Sequence, residues 1–230
     1  MNIIKAVGNY GEIYDRHFDS DLLRRGSNEL AADFGLQYAP PFSGTGDSNI
    51  VAGTPEDDNI EGGNLSEQIY GYQGSDLIMA QDGSDLVYGG QRSDTVQAGN
   101  GHDIVWGNVG NDWLNGNQGN DRINGGDGDD ELYGAQGDDL LMGGVGNDTV
   151  TGGEGQDQFV LTPTSGSNII TDFTDGEDLL DIEEGLSFEQ LTIEPTANAT
   201  IVKLGEQVLA ILNGVDVSLI SADDFNTTVI

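Results

Sequence analysis

Eleven aspartates recur at one phase of the chain: Asp58, Asp76, Asp85, Asp94, Asp103, Asp112, Asp121, Asp130, Asp139, Asp148 and Asp157, with Glu67 filling the one gap in the series. Each stands nine residues from the next and follows a glycine-rich stretch. Oxygen donors in this density suit a hard cation, and calcium takes about six to eight of them. A glycine-rich turn exposes main-chain carbonyls, and the aspartate at its end adds a carboxylate. One turn cannot surround an ion, but two stacked turns can. The competing reading is that aspartate only caps the turns, as it often does. Against it, carboxylates stacked one strand apart repel strongly unless a cation lies between them. A metal-free coil would carry Asn or Ser there.

The elements that position these carboxylates follow from the same period. Residues 53 to 160 divide without a gap into twelve nonapeptides, from GTPEDDNIE to GGEGQDQFV. The eighth position is always large and apolar: Ile60, Ile69, Ile78, Val87, Val96, Val105, Leu114, Ile123, Leu132, Leu141, Val150 and Phe159. Each unit reads as a six-residue turn and a three-residue strand. Alternation along a strand points position eight inward and positions seven and nine outward. Two units make one coil of eighteen residues, so stacked turns lie two units apart, and six coils rise roughly 29 Å. The array is uneven: position four is Glu56, Leu65 and Arg92 in units one, two and five, and Gly throughout units six to twelve. The firmest sites are therefore expected between Gly99 and Asp157.

The unit resembles G-G-x-G-x-D-x-U-x, the nonapeptide of the RTX (repeats-in-toxin) family, whose repeats form a parallel β-roll. That resemblance implies ligands from the carbonyls of positions two and four with the aspartate of one turn, and from positions one and three with the aspartate of the turn above. Carried onto this chain, one site joins Gly126, Gly128 and Asp130 to Gly143, Val145 and Asp148. By the same rule the lower turns offer Gly99, Gly101 and Asp103, then Asn108, Gly110 and Asp112. Both roles fall to Gly116, Asn117, Gln118, Gly119 and Asp121, to Gly125 and Asp127, and to Gly134, Ala135, Gln136, Gly137 and Asp139. Gly152, Glu154 and Asp157 complete the upper turns. Asp76, Asp85 and Asp94 add carboxylates lower down. The expected fold is all-β: a parallel β-roll solenoid with a short N-terminal helical segment and a C-terminal β cap.

The rest of the chain frames this array. Residues 1 to 43 hold four of the seven basic residues, and Ile13, His17, Leu22, Leu30, Ala31 and Phe34 fall near helical spacing ahead of Gly35. AVGNYGEIYDRHF and GLQYAPPF there resemble the C-terminal tail of periplasmic amino-acid-binding proteins of ABC transporters. The body of that fold is absent, so no amino-acid binding is expected. Residues 44 to 52 read as a degenerate leading repeat with Val51 inward, and 44–160 as the roll. Residues 161 to 230 leave the period and read as a cap. SNIITDFTDGEDLLDI resembles the segment that follows the array in RTX proteins, ATIVKL and VLAIL suggest a hairpin, and the terminal DDFNTTVI is similar to a type I secretion signal. Asp172, Asp175 and Asp178 hold one more ion or form a solvated turn.

Seven basic against 41 acidic residues give a net charge of −34. That argues against nucleic acid or an anionic membrane as partner. No stretch approaches the roughly 20 apolar residues of a membrane helix, so no membrane insertion is expected. Cysteine is absent, and the two histidines, His17 and His102, are distant. HExxH and GxSxG are absent too, so no catalytic constellation emerges. The expectation is a secreted, extracellular, non-catalytic module that folds on calcium. The alternatives are an adhesion rod and the non-catalytic part of a larger secreted enzyme. The outer face of the even units lines up Tyr70, Tyr88, Trp106, Asn124, Met142 and Val160, with Leu86, Ile104 and Leu140 beside them. So large a patch is rarely bare in a monomer. Residues 1 to 43, the C-terminal hairpin, a second copy or another surface are the candidate covers.

Overall fold

The computed structural model describes residues 2–5, 49–163, 166–183 and 186–228. The helical stretch expected between Ile13 and Gly35 lies outside these residues, as do 44–48.

The chain winds as a parallel solenoid between two sheets. One sheet takes the odd units: Asp58–Glu61, Leu77–Met79, Thr95–Asn100, Trp113–Gln118, Glu131–Gln136 and Thr149–Glu154. The other takes the even units: Glu67–Gln73, Leu86–Gln91, Ile104–Val109, Arg122–Asp127, Leu140–Val145 and Gln158–Leu161, preceded by Asn49–Ala52. Register between coils is eighteen residues throughout the array, as in Leu114↔Leu132 and Ile123↔Leu141. Most strands are six residues long because positions one to three of the next unit continue the pairing between coils.

The period explains the core. All twelve position-eight side chains are at most 2 % exposed. Alternation also turns positions six and one inward, so the acidic residues and the small residue after each strand share the interior. At position one, Ala80 and Ala98 are fully buried, and the other units carry glycine. A Cβ at Gly125 would lie 2.3 Å from Asp130 Oδ2 and 2.4 Å from the carbonyl oxygen of Gly143 in the next coil. The coils are thus too close at position one for most side chains.

Both ends depart from the repeat. Asn2–Lys5 forms a strand parallel to Asp58–Glu61 at the edge of the odd sheet. Val51 is buried, as its inward reading requires. Beyond residue 160 the coil runs on: Asn168–Ile170 pairs with Thr149–Glu154, and Leu179–Glu183 with Gln158–Leu161. The expected hairpin is Ala199–Leu204 against Gln207–Asn213, and Leu191–Pro195 joins its outer side. Gln207–Asn213 pairs with Asn168–Ile170, so the hairpin extends the odd sheet. Phe225–Thr228 extends the even one.

Candidate metal centres

Glycine shapes the turns at two positions. Position two takes a left-handed backbone in units three to twelve, as at Gly126 (φ 108), and position four does the same, as at Gly128 (φ 144). Non-glycine residues share this geometry at Tyr72, Gln81, Asn108, Asn117 and Ala135 in position two and at Arg92 in position four. A β-carbon there costs about 1–2 kcal/mol, least for Asn. Units one and two do not adopt these angles. Glu56 and Leu65, where the other units carry Gly or Arg92, are the sequence counterpart of that difference.

These angles aim carbonyls along the stack. A Cβ at Gly126 would meet the Asn108 oxygen at 2.1 Å, and one at Gly128 would meet the Gly110 oxygen at 1.9 Å. The same holds for Gly101 beneath Gly119, Gly119 beneath Gly137, and Ala135 beneath Gly153. Position-one carbonyls point the opposite way: the oxygens of Gly125, Gly134, Gly143 and Gly152 reach down to Gly107, Gly116, Gly125 and Gly134. Position-three carbonyls also face down. Those of Gln118, Asp127, Gln136, Val145 and Glu154 accept the position-four N–H of Gly101, Gly110, Gly119, Gly128 and Gly137 at 2.8 Å. The carbonyls assigned from sequence therefore face one another across each gap.

The carboxylates form two ladders. In the odd column the N–H of Asp58, Asp76, Asp94, Asp112 and Asp130 donates to Oδ1 of the aspartate one coil on, ending at Asp148. In the even column Glu67, Asp85, Asp103, Asp121 and Asp139 do the same, ending at Asp157. One oxygen of each carboxylate above the first of its column is thereby used; at the bottom, Asp58 accepts from Thr54 and Glu67 from Gly63 instead. The other is buried and meets no donor in ten of them: Asp58, Asp76, Asp85, Asp94, Asp103, Asp112, Asp121, Asp130, Asp139 and Asp148. Buried carboxylate oxygens without partners are strongly unfavourable unless a cation or a proton satisfies them.

The donor set therefore fits calcium. Among the described residues no three His, Cys, Asp or Glu side chains form a ready-made cluster. Each gap offers two carboxylates, and the carbonyls must supply the remaining oxygens, as calcium's coordination number and preference for carbonyl and carboxylate oxygen allow. Without metal, protons take over. Burial, outweighing the ladder bonds and aided by neighbouring carboxylates, pushes Asp94 up to about 8 and Asp85, Asp130 and Asp139 to about 7. Asp121 and Asp157 also rise to about 7. Asp76, Asp112 and Asp148 reach about 6.

Two features escape the nonapeptide pattern. Position five builds a second ladder on the turn's outer rim. Asn111 donates its N–H to Ser93 Oγ, Asp129 to Asn111 Oδ1, and Asn147 to Asp129 Oδ1. His102 belongs to the same device on the even side: it is exposed, and its Nδ1 accepts the Asn120 N–H at 2.8 Å. Its imidazole thus has a structural bond as well as solvent. The Asp172–Asp178 segment is the other. Asp178 accepts the Asp157 N–H and the Thr174 N–H, and Asp172 accepts from Gly152 and Gly153, so all four oxygens have donors. That is a hydrogen-bonded cap in which Asp178 is buried. The signal for it was FTDGEDLLD, which keeps Gly at position four and Asp at position six.

The family model for the RTX calcium-binding nonapeptide repeat (4 copies) matches in overlapping blocks from residue 43 to residue 160. A 43-residue stretch is 51% identical to YhdW, a provisionally named amino-acid ABC transporter-binding protein of Escherichia coli K12, and the match covers 17% of this chain and 13% of that protein. The chain thus spans a small fraction of the curated relatives it matches. Among solved structures, the extracellular lipase LipA of Serratia marcescens is 18% identical over 79% of this chain and 40% of its own, with a TM-score of 0.33. The R3 subunit of the mannuronan C5-epimerase AlgE6 of Azotobacter vinelandii is 21% identical over 84% of both chains, with a TM-score of 0.31.

Proposed function

Because the chain belongs to the RTX family of calcium-binding nonapeptide repeats, we propose that it is a secreted module whose coil closes only when calcium binds outside the cell. One observation carries this reading: ten inward-facing aspartates each keep a buried oxygen that no donor reaches. Calcium supplies the positive charge and the open coordination positions that those oxygens and the facing carbonyls need. The chain contributes the rest. Its glycines set positions two and four left-handed, its carbonyls converge from both turns, and its aspartate ladders lock the coils in register.

Ordering so many glycines carries a high entropic cost, and ionised carboxylates one coil apart repel. Where calcium is scarce the chain therefore stays open and able to thread a secretion channel. Affinities of order 10⁻⁴–10⁻³ M per site suit an extracellular module. The function is read as binding and folding without a catalytic step. The even face, with its aromatic stack, is the surface offered to a second copy or another partner.

Far-UV circular dichroism tests the core of this reading. The chain should be disordered in chelator at pH 8 and β-rich in millimolar calcium. A spectrum that is the same in both conditions would refute it.

A further inference from the structure

The odd column does not stop at its last aspartate. Ile169 pairs with Thr149 and Ile170 with Val150, which places Asn168 over Asp148 as Asp148 stands over Asp130. The match extends down the turn. Ser167 donates its N–H to Asn147 Oδ1, continuing the rim ladder. A Cβ at Gly166 would lie 1.8 Å from the Gly146 oxygen, so the position-four carbonyl of the turn below is aimed here too. The family match ends at residue 160. Two extra residues between Val160 and Gly166 shift this stretch out of the nine-residue phase.

Asn168 is 3% exposed, yet its Oδ1 has no hydrogen-bond partner. Asp148 beneath it is fully buried, and its Oδ2 has none either. Two buried oxygens that lack donors therefore belong to stacked turns, beside a carbonyl directed from the lower turn to the upper. A side-chain amide oxygen is a ligand calcium accepts as it accepts carboxylate. The even column ends differently. Asp178 stands over Asp157, but Thr174 N–H already occupies its second oxygen, and nothing approaches a Cβ at Gly176 within 4 Å.

We propose that the gap between Asp148 and Asn168 is one more calcium site, outside the recognised repeats, built from the Asp148 carboxylate, the Asn168 amide oxygen and the Gly146 carbonyl. It rests on the calcium reading of the repeats. With one carboxylate instead of two it is the weakest of the odd column and fills last. Its filling fastens the hairpin side of the cap, because Asn168–Ile170 is the strand on which Gln207–Asn213 pairs.

The test uses the full chain. Crystals grown in calcium should show an anomalous difference peak between Asp148 and Asn168, above the peaks within the repeats. In equilibrium dialysis at saturating calcium, Asn168→Leu should bind one ion fewer per chain. Asn168→Asp should keep the count and tighten the weakest step several-fold. Filled repeats below an empty Asp148–Asn168 gap, or an unchanged count in Asn168→Leu, would overturn this site alone. A wild-type chain that binds no calcium would overturn it together with the reading of the repeats.

Discussion

The N–H of Asp130 donates to Oδ1 of Asp148, 3.0 Å away and one coil on, while Oδ2 of the same carboxylate meets no donor. The Asp130 carboxylate has the same two tasks: its Oδ1 accepts the Asp112 N–H, which fixes the register of neighbouring coils, and its Oδ2 stays open for a cation. Removing it should damage both. In Asp130→Ala the Asp112 N–H loses its acceptor and two gaps lose a carboxylate. A lost buried bond to a charged group costs about 1.5–3 kcal/mol, so the calcium midpoint for folding should rise clearly, by a factor that shrinks with the number of ions bound in the same step. Asp58→Ala should move it far less. Asp58 ends its column, and Thr54 N–H and Oγ1 already hold its Oδ2 at 2.6 and 2.8 Å. Calcium titrations followed by circular dichroism decide this, and equal shifts would contradict the ranking.

Protons and calcium should compete for the same oxygens. The buried aspartates of the metal-free coil titrate well above the usual carboxylate range, Asp94 at about 8 and Asp130 at about 7, chiefly because burial disfavours the charge. Their folded values exceed the unfolded value of about 3.9. The protonated folded form therefore contributes stability that is full below about pH 4 and is lost as pH rises through 6 to 8. In chelator, β structure should be greater at pH 5 than at pH 8. In calcium the dependence reverses, and the folding midpoint should rise as pH falls. A chelated chain equally disordered at both pH values would contradict the first expectation.

Backbone geometry gives an opposed pair of substitutions. Gly125→Ala places a methyl 2.3 Å from Asp130 Oδ2 and 2.4 Å from the Gly143 carbonyl, so the coil must shift. Overpacking of this kind costs about 1–3 kcal/mol. Ala135→Gly acts the other way. Ala135 sits at φ 82, a strain of about 1–2 kcal/mol for a residue with a β-carbon. Glycine's greater freedom in the unfolded chain returns about 0.4–1 kcal/mol of that. A small net gain in stability should remain, read as a higher urea midpoint in saturating calcium.

Several of these relationships were legible in the sequence because they depend on period alone. The inward position of Ile123, the pairing of Asp130 with Asp148, and the departure of the Glu56 and Leu65 turns all follow from spacing and residue type. What was not legible depends on exceptions to the period. Two extra residues between Val160 and Gly166 break the phase, and Asn168 stands where Asp is expected, so the turn over Asp148 carries no signature. Asp178 resembles a ligand, yet Thr174 N–H closes it, and local loop geometry decides that. The rim ladder was hidden because Ser, Asn, Asp and His all serve as its acceptors. The period places position five without restricting it to one residue type.

The even face offers the last test. Tyr88 lies between Tyr70 and Trp106, with ring centroids 5.1 and 4.9 Å away and planes nearly parallel. Residues eighteen apart stack directly, so the three rings cover one another and each stays half-buried. Each aromatic pair is worth about 0.5–1.5 kcal/mol beyond its buried area. Tyr88→Ala breaks two pairs and should cost about 1–3 kcal/mol in saturating calcium. Trp106 reports the same event once Trp113, the second tryptophan of the chain, is replaced by Phe. Its emission in calcium should be blue-shifted and poorly quenched by acrylamide, and Tyr88→Ala should shift it to the red. Sedimentation of the same samples shows whether a second copy covers the face. Free quenching of Trp106 in an intact, calcium-loaded monomer would show that the face is bare and offers no cover to remove.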